Sequence, residues 1–190
     1  MPNTARKPTG HPPEYSEEER SHLLQLAHRT VNEALAGIKT DATAPGEHLA
    51  EPRGAFVTLH LHGQLRGCVG FIAAVHPLCR TIVEAATSAA FEDTRFSPVT
   101  AAEAQELRIE ISVLSPLTPI AAEQVEVGRH GLIVSQHGLR GLLLPQVPLE
   151  YGWDRTTFLQ QTCVKAGLPP DAWQHGAKLE AFVAEVFGEE

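Results

Sequence analysis

The sequence predicts an α+β fold, a mainly antiparallel sheet flanked by helices, and three observations predict it. Three- and four-residue apolar periodicity is confined to a few segments. Strict apolar alternation marks several short strands. The strands follow one another through glycine-containing turns, without regular strand–helix–strand units.

Residues 1–15 hold four prolines (Pro2, Pro8, Pro12, Pro13) and almost no large apolar side chains, so a flexible tail is expected ahead of a single domain over 16–190. Ser16-Glu-Glu-Glu19 has the form of a capping box, and Leu23, Leu24, Ala27, Val31, Ala34 and Leu35 then recur at helical spacing up to Gly37, which predicts a helix over about 17–36. Residues 38–53, polar and containing Pro45-Gly46, read as a loop. In residues 54–61, Ala55, Val57, Leu59 and Leu61 alternate with Phe56, Thr58 and His60, and His62-Gly63-Gln64 turns the chain into residues 65–71 as a hairpin. Pro77 opens a second helix that ends near Phe91. Thr100 and Glu103 repeat the capping-box spacing over a short turn, after which Leu107, Ile109, Ile111 and Val113 alternate with Arg108, Glu110 and Ser112 in a strand with one wet face. Short strands are expected at 125–127, 132–136 and 140–144. Asp154 caps a helix running to Gly167, and residues 178–187 read as one strand returning to the sheet.

A chain of 190 residues can remove roughly 70% of its extended-chain surface from water, enough for a hydrophobic core without staples. Fifteen basic against 23 acidic residues give a net charge of −8, with the basic residues scattered singly, so nucleic acid is not an expected partner. No apolar run approaches the ~18–20 residues of a membrane span. The first residues lack an apolar signal core, so a cytoplasmic address is the expectation. Cys68, Cys79 and Cys163 are odd in number and widely separated, as free thiols in a reducing compartment would be. No phosphate-binding glycine motif and no G-x-S-x-G elbow is present. His60 and His62 have metal-compatible spacing but no third ligand nearby, so they are read as part of a polar face and no metal site is expected.

The hairpin's register can be argued from its side chains, because loop length decides which face of the second strand meets the first. A three-residue loop pairs Leu61 with Leu65, Leu59 with Gly67 and Val57 with Val69, and collects Thr58, His60, Arg66 and Cys68 on the other face. Glycines flank that cysteine on both sides, a pattern that lets a ligand or another backbone approach closely. A thiol beside Arg66 and a cross-strand histidine would be favoured as its reactive thiolate; the alternative is a small buried hydrophobe.

Five ordered segments carry a resemblance: Leu65-Arg-Gly-Cys-Val-Gly70, Ala90-Phe-Glu-Asp-Thr-Arg-Phe-Ser-Pro98, Ile109-Glu-Ile-Ser-Val-Leu-Ser-Pro116, Val127-Gly-Arg-His-Gly-Leu132, and Leu144-Pro-Gln-Val147 with Gly152-Trp-Asp154. Over about residues 18–188 the chain resembles the AMMECR domain family, protein A of the AmmeMemoRadiSam set of bacteria and archaea. The resemblance implies an α+β fold with two lobes and a cleft, no established activity or cofactor, and as partners a Memo-like protein and a radical-SAM protein. It singles out Cys68, His130, Glu110 and Asp93 as the chemical set. Arg66, Gly67, Gly70, Arg95 and Gln146 would surround a small-molecule or peptide ligand. Two readings follow. In the first, Cys68 is a nucleophile or thiol ligand, His130 its base, Glu110 and Asp93 orient the groups, and Arg66 and Arg95 hold an anion. In the second the protein is a non-catalytic adaptor whose glycine-rich strand admits a partner's peptide. At single positions bland readings stand beside these: Asp93 and Arg95 as a structural ion pair closing a helix, Glu110 as a solvated carboxylate, and His130 as an ordinary turn histidine.

Overall fold

A computed structural model describes residues 13–189. In chain order the elements are α1 (Glu17–Leu35), α2 (Glu47–Ala50), β1 (Ala55–Leu61), β2 (Gln64–Phe71), α3 (Leu78–Phe91), α4 (Ala101–Ala104), β3 (Leu107–Leu114) and β4 (Thr118–Pro119). They continue as β5 (Gly131–Gln136), β6 (Leu139–Leu143), α5 (Val147–Glu150), α6 (Arg155–Lys165), β7 (Lys178–Phe182) and β8 (Ala184–Gly188). This is an α+β fold whose described residues form two compact units: a larger one of Ser16–Leu117 with residues 184–189, and a smaller one of Thr118–Val183 with residues 13–15. Among the described residues no helix is long and apolar enough to cross a membrane.

The larger unit is an antiparallel sheet in the order β2-β1-β3-β8, with α3 packed on β1 and β2, and α1 on α3 and β3. Helix α1 starts where its capping box predicts: the Glu19 N–H donates to Ser16 Oγ at 3.2 Å and the Ser16 N–H to Glu19 Oε2 at 2.9 Å. Alternation along β1 and β3 buries Val57, Leu59, Ile109, Ile111 and Val113 against the helices. The same parity puts Phe56, Thr58, His60, Glu110 and Ser112 on the opposite, half-buried face. The smaller unit is a second antiparallel sheet, β4-β7-β5-β6, on which α6 seals a core around Leu132, Val134, Phe158, Leu159 and Cys163.

The structure corrects four expectations. Residues 125–127 are not a strand: Val125 is buried in the smaller unit's core and Val127 enters a turn, so their apolar character serves packing, not pairing. The single strand expected over 178–187 is two strands in different sheets. Consecutive burial of Ala181 and Phe182 breaks the alternation where the chain leaves one sheet for the other. The loop before β1 contains the short helix α2. Of the expected tail, residues 1–12 lie outside the described residues, and Tyr15 at its end is buried.

Candidate functional site

A fifth correction concerns the hairpin that carries Cys68. Its turn has two residues, not three: His62 and Gly63 take φ of 51° and 76°, the left-handed pair that a tight hairpin turn needs. Leu61 therefore pairs with Gln64 and His60 with Leu65, yet Leu59 still meets Gly67 and Val57 still meets Val69. A β-bulge at Arg66 reconciles the two, since one extra residue in β2 restores the parity that a two-residue turn would otherwise invert. From Gly67 onward the dry and polar faces are thus those the sequence predicts, with Cys68 across from Thr58; before it they are not, since Leu65 lies opposite His60 and is exposed, and Arg66 is buried on Glu103 instead of joining the polar face.

Arg66 is 9% exposed, and its guanidinium grips Glu103 at the N-terminal turn of α4 with Nε–Oε1 at 2.9 Å and Nη2–Oε2 at 3.2 Å. Glu103 also accepts the Thr100 N–H at 2.8 Å. The Arg66 guanidinium, and next the Thr100 amide, hold its carboxyl down at about 2. Through Nε and Nη2 Arg66 thus meets a carboxylate and a carbonyl, that of Pro98 at 3.4 Å, whereas its Nη1 is buried without a hydrogen-bond partner; the guanidinium lies 5.9 Å from the Phe96 ring centroid.

Cys68 sits on the half-buried face directly across from Thr58, whose hydroxyl donates to Sγ at 3.3 Å. The cross-strand neighbour is therefore threonine; His60 pairs with Leu65. Because β2 is the edge strand, the Cys68 amide and carbonyl point away from β1, and side chains of the loop after α3 receive them. Asp93 Oδ2 accepts the Cys68 N–H at 2.9 Å, and Arg95 Nη2 donates to the Cys68 carbonyl at 3.3 Å. Asp93 and Arg95 also pair with each other, Nη2–Oδ2 at 2.7 Å. The Arg95 guanidinium first, and then the Cys68 amide, push the Asp93 carboxyl well below the usual carboxylate range.

The flanking glycines answer a different need from the one their pattern suggested. A Cβ on Gly67 would lie 2.1 Å from the Ala89 carbonyl oxygen of α3, and one on Gly70 would lie 2.4 Å from the Ala55 carbonyl and the Phe56 ring. The room at both positions is filled by the protein's own atoms, so the glycines serve the packing of β2.

A family model described as AMMECR1 matches residues 24–187. The chain belongs to the AMMECR1 family. Among AMMECR1 relatives, a protein of Methanopyrus kandleri is 44% identical over 185 residues, covering 91% of this chain and 89% of that protein. One of Methanocaldococcus jannaschii is 42% identical, covering 90% of each. The crystal structure of an uncharacterised protein from Pyrococcus horikoshii superposes with a TM-score of 0.75 at 42% identity, covering 89% of this chain and 90% of that one.

Of the residues the AMMECR1 resemblance singles out, the larger unit brings together Cys68, Asp93 and Arg95, with Arg66 on its own carboxylate nearby in β2. Glu110 lies in the same cross-strand row, opposite Thr58 on β3. His130 and Gln146 belong to the smaller unit. The Glu126 N–H donates to His130 Nδ1 at 3.0 Å, so the neutral ring carries its proton on Nε2 and offers a donor there, not a base. Burial, and then Arg129, push the His130 imidazole below its ordinary value, in keeping with that neutral form. Gln146 is exposed, and its carbonyl accepts the Glu150 N–H at 3.0 Å as α5 begins. Sequence reasoning missed Thr58, Phe96 and Glu103 as site members. Glu103 was visible as a capping acid, but its second partner lies 37 residues away.

Proposed function

We propose that this AMMECR1 chain is component A of the AmmeMemoRadiSam set, working in the cytoplasm beside a Memo-like protein and a radical-SAM protein as a thiol-dependent enzyme component with Cys68 as the reacting group. The observation that carries this reading is selective exposure. Cys79 and Cys163 are fully buried, and burial pushes both thiols up, whereas Cys68 is half-exposed on a polar sheet face with a hydroxyl donating to its sulfur. In this role the thiolate, its proton having left to solvent, adds to a carbonyl carbon of a small molecule or peptide, and the C=O π pair moves onto the oxygen as the C–S bond forms. The Thr58 hydroxyl steadies the sulfur's charge, and Glu110 stands in the same row as a carboxylate.

A second reading, the non-catalytic adaptor, draws support from the guanidinium groups. Arg66 is closed on Glu103 and Arg95 on Asp93, so neither presents an unbalanced cation to an anionic substrate. Alkylation with iodoacetamide separates the two. A reacting Cys68 labels at pH 6–7 faster than an unstructured thiol peptide, and Cys68→Ser abolishes labelling of the folded protein. Labelling no faster than the peptide, or only after unfolding, together with a Cys68→Ser chain that still co-purifies with the Memo-like protein and supports the pathway, establishes the adaptor in its place.

A further inference from the structure

The open edge of the larger sheet is occupied at Cys68 by side chains where a neighbouring strand would lie. Asp93 takes the N–H and Arg95 meets the carbonyl, the two groups that an antiparallel partner would bond. The pair is itself doubly bonded, Nε–Oδ1 at 2.9 Å and Nη2–Oδ2 at 2.7 Å, and asymmetric: the Asp93 side chain is 6% exposed and that of Arg95 56%. The loop that carries them is anchored on both sides. The Val99 N–H donates to the Ala90 carbonyl at 2.9 Å, and the Phe96 ring lies near both guanidinium groups, 5.9 Å from Arg66 and 5.5 Å from Arg95.

We infer that Asp93 and Arg95 are positioning residues for Cys68: they hold the peptide unit that carries the thiol, and their opposed charges set the electrostatic balance its sulfur faces. The inference rests on the proposal above that Cys68 reacts as a thiolate. The Asp93 carboxylate on the Cys68 amide disfavours a further negative charge on that residue, the Arg95 guanidinium on its carbonyl favours one, and as an ion pair the two largely cancel. Removing either member unmasks the other. The remaining charged and titratable groups near this strand are the same in every variant: Arg66 closed on Glu103, and His60 and Glu110 on the face of β1 and β3.

The test compares iodoacetamide labelling of the full chain with that of Asp93→Asn, Arg95→Gln and Arg95→Lys. At pH 7 Asp93→Asn, which keeps an acceptor for the Cys68 amide and loses the charge, is expected to label about threefold faster or more. Arg95→Gln should label about threefold slower, and Arg95→Lys close to the parent, the modest size reflecting the exposure of Arg95. Both ratios shrink in 1 M salt and converge on one at pH 10, well above the ~8.5 of an ordinary thiol. A loosened edge would instead accelerate both variants at every pH, so shifts in the same direction, or ratios that persist at pH 10, overturn the inference. Should Asp93→Asn fail to fold by circular dichroism, Arg95→Gln against Arg95→Lys carries the test, and equal rates for those two overturn it. The parent's own rate judges the thiol chemistry separately: a slow parent with opposite variant shifts leaves the clamp and removes the chemistry, and a fast parent with unshifted variants does the reverse.

Discussion

Two hairpins of this molecule share a construction, one in each unit. His62-Gly63 turns β1 into β2, and His137-Gly138 turns β5 into β6, with left-handed φ at both residues of each turn. After the turns the chain reads Gln64-Leu-Arg-Gly67 in one hairpin and Leu139-Arg-Gly141 in the other, one residue shorter. The pairs match in order: Leu61–Gln64 with Gln136–Leu139, His60–Leu65 with Ser135–Arg140, Leu59–Gly67 with Val134–Gly141. The extra residue of the first hairpin is Arg66, the bulge. It is buried on Glu103, whereas Arg140 is exposed. The inserted residue is thus itself an internal tie to α4, on the strand that presents Cys68.

The largest expected effect tests the feature the hairpins share. In both, the glycine three pairs beyond the turn meets a helix backbone: Gly67 the Ala89 carbonyl, and Gly141 the Ala166 amide nitrogen, 2.3 Å from where a Cβ would lie. Gly67→Val and Gly141→Val should each cost about 3 kcal/mol or more, because backbone cannot give way as a flexible side chain can. Urea unfolding checks both. If either variant matched the parent, close helix–strand approach would cease to be what the two hairpins have in common.

The next prediction tests the difference. Arg66→Ala strips a part-buried carboxylate of its bidentate partner and should cost about 2 kcal/mol, whereas Arg140→Ala should stay within about 0.5 kcal/mol. Acid sharpens the contrast. The Glu103 carboxyl is held at about 2 in the folded chain against an ordinary 4.5, so its contribution is complete above pH 4.5 and is lost as pH falls towards 2. Urea midpoints at pH 7 and pH 3 should show the parent losing more on acidification than Arg66→Ala. Equal losses would mean that the bulged arginine does no more than its exposed counterpart.

Much of this architecture was legible. The capping boxes at Ser16 and Thr100, the alternation in β1 and β3, and the stop at Gly167 are local signals, and local hydrogen bonding or burial satisfies each. What failed to show was non-local or register-dependent. A bulge leaves composition untouched and is invisible until two strands are laid side by side. The handover from β7 to β8 hides inside one continuous apolar run. In the candidate site, the glycine-flanked strand pointed to Cys68 and the family motifs to Asp93 and Arg95, but neither pointed to the fact that Asp93 serves the Cys68 backbone 25 residues away. The glycines around Cys68 suggested access for a ligand because sequence cannot say whose atoms fill a space.

The smallest expected effect returns to the turns. Histidine tolerates left-handed φ better than most residues, but asparagine before glycine suits this turn best, its short side chain being the least crowded there. His137→Asn should therefore raise stability by about 0.3 kcal/mol. His62→Asn should gain no more than that, since it also removes a 3.7 Å approach to Glu106 between side chains 69% and 59% exposed, a pair worth little in water. Thermal melts of both variants decide the matter. A gain at 137 with a clear loss at 62 would show that the bulged hairpin depends on its turn residue for more than backbone conformation, and would place His62 among the contacts that hold the Cys68 strand in register.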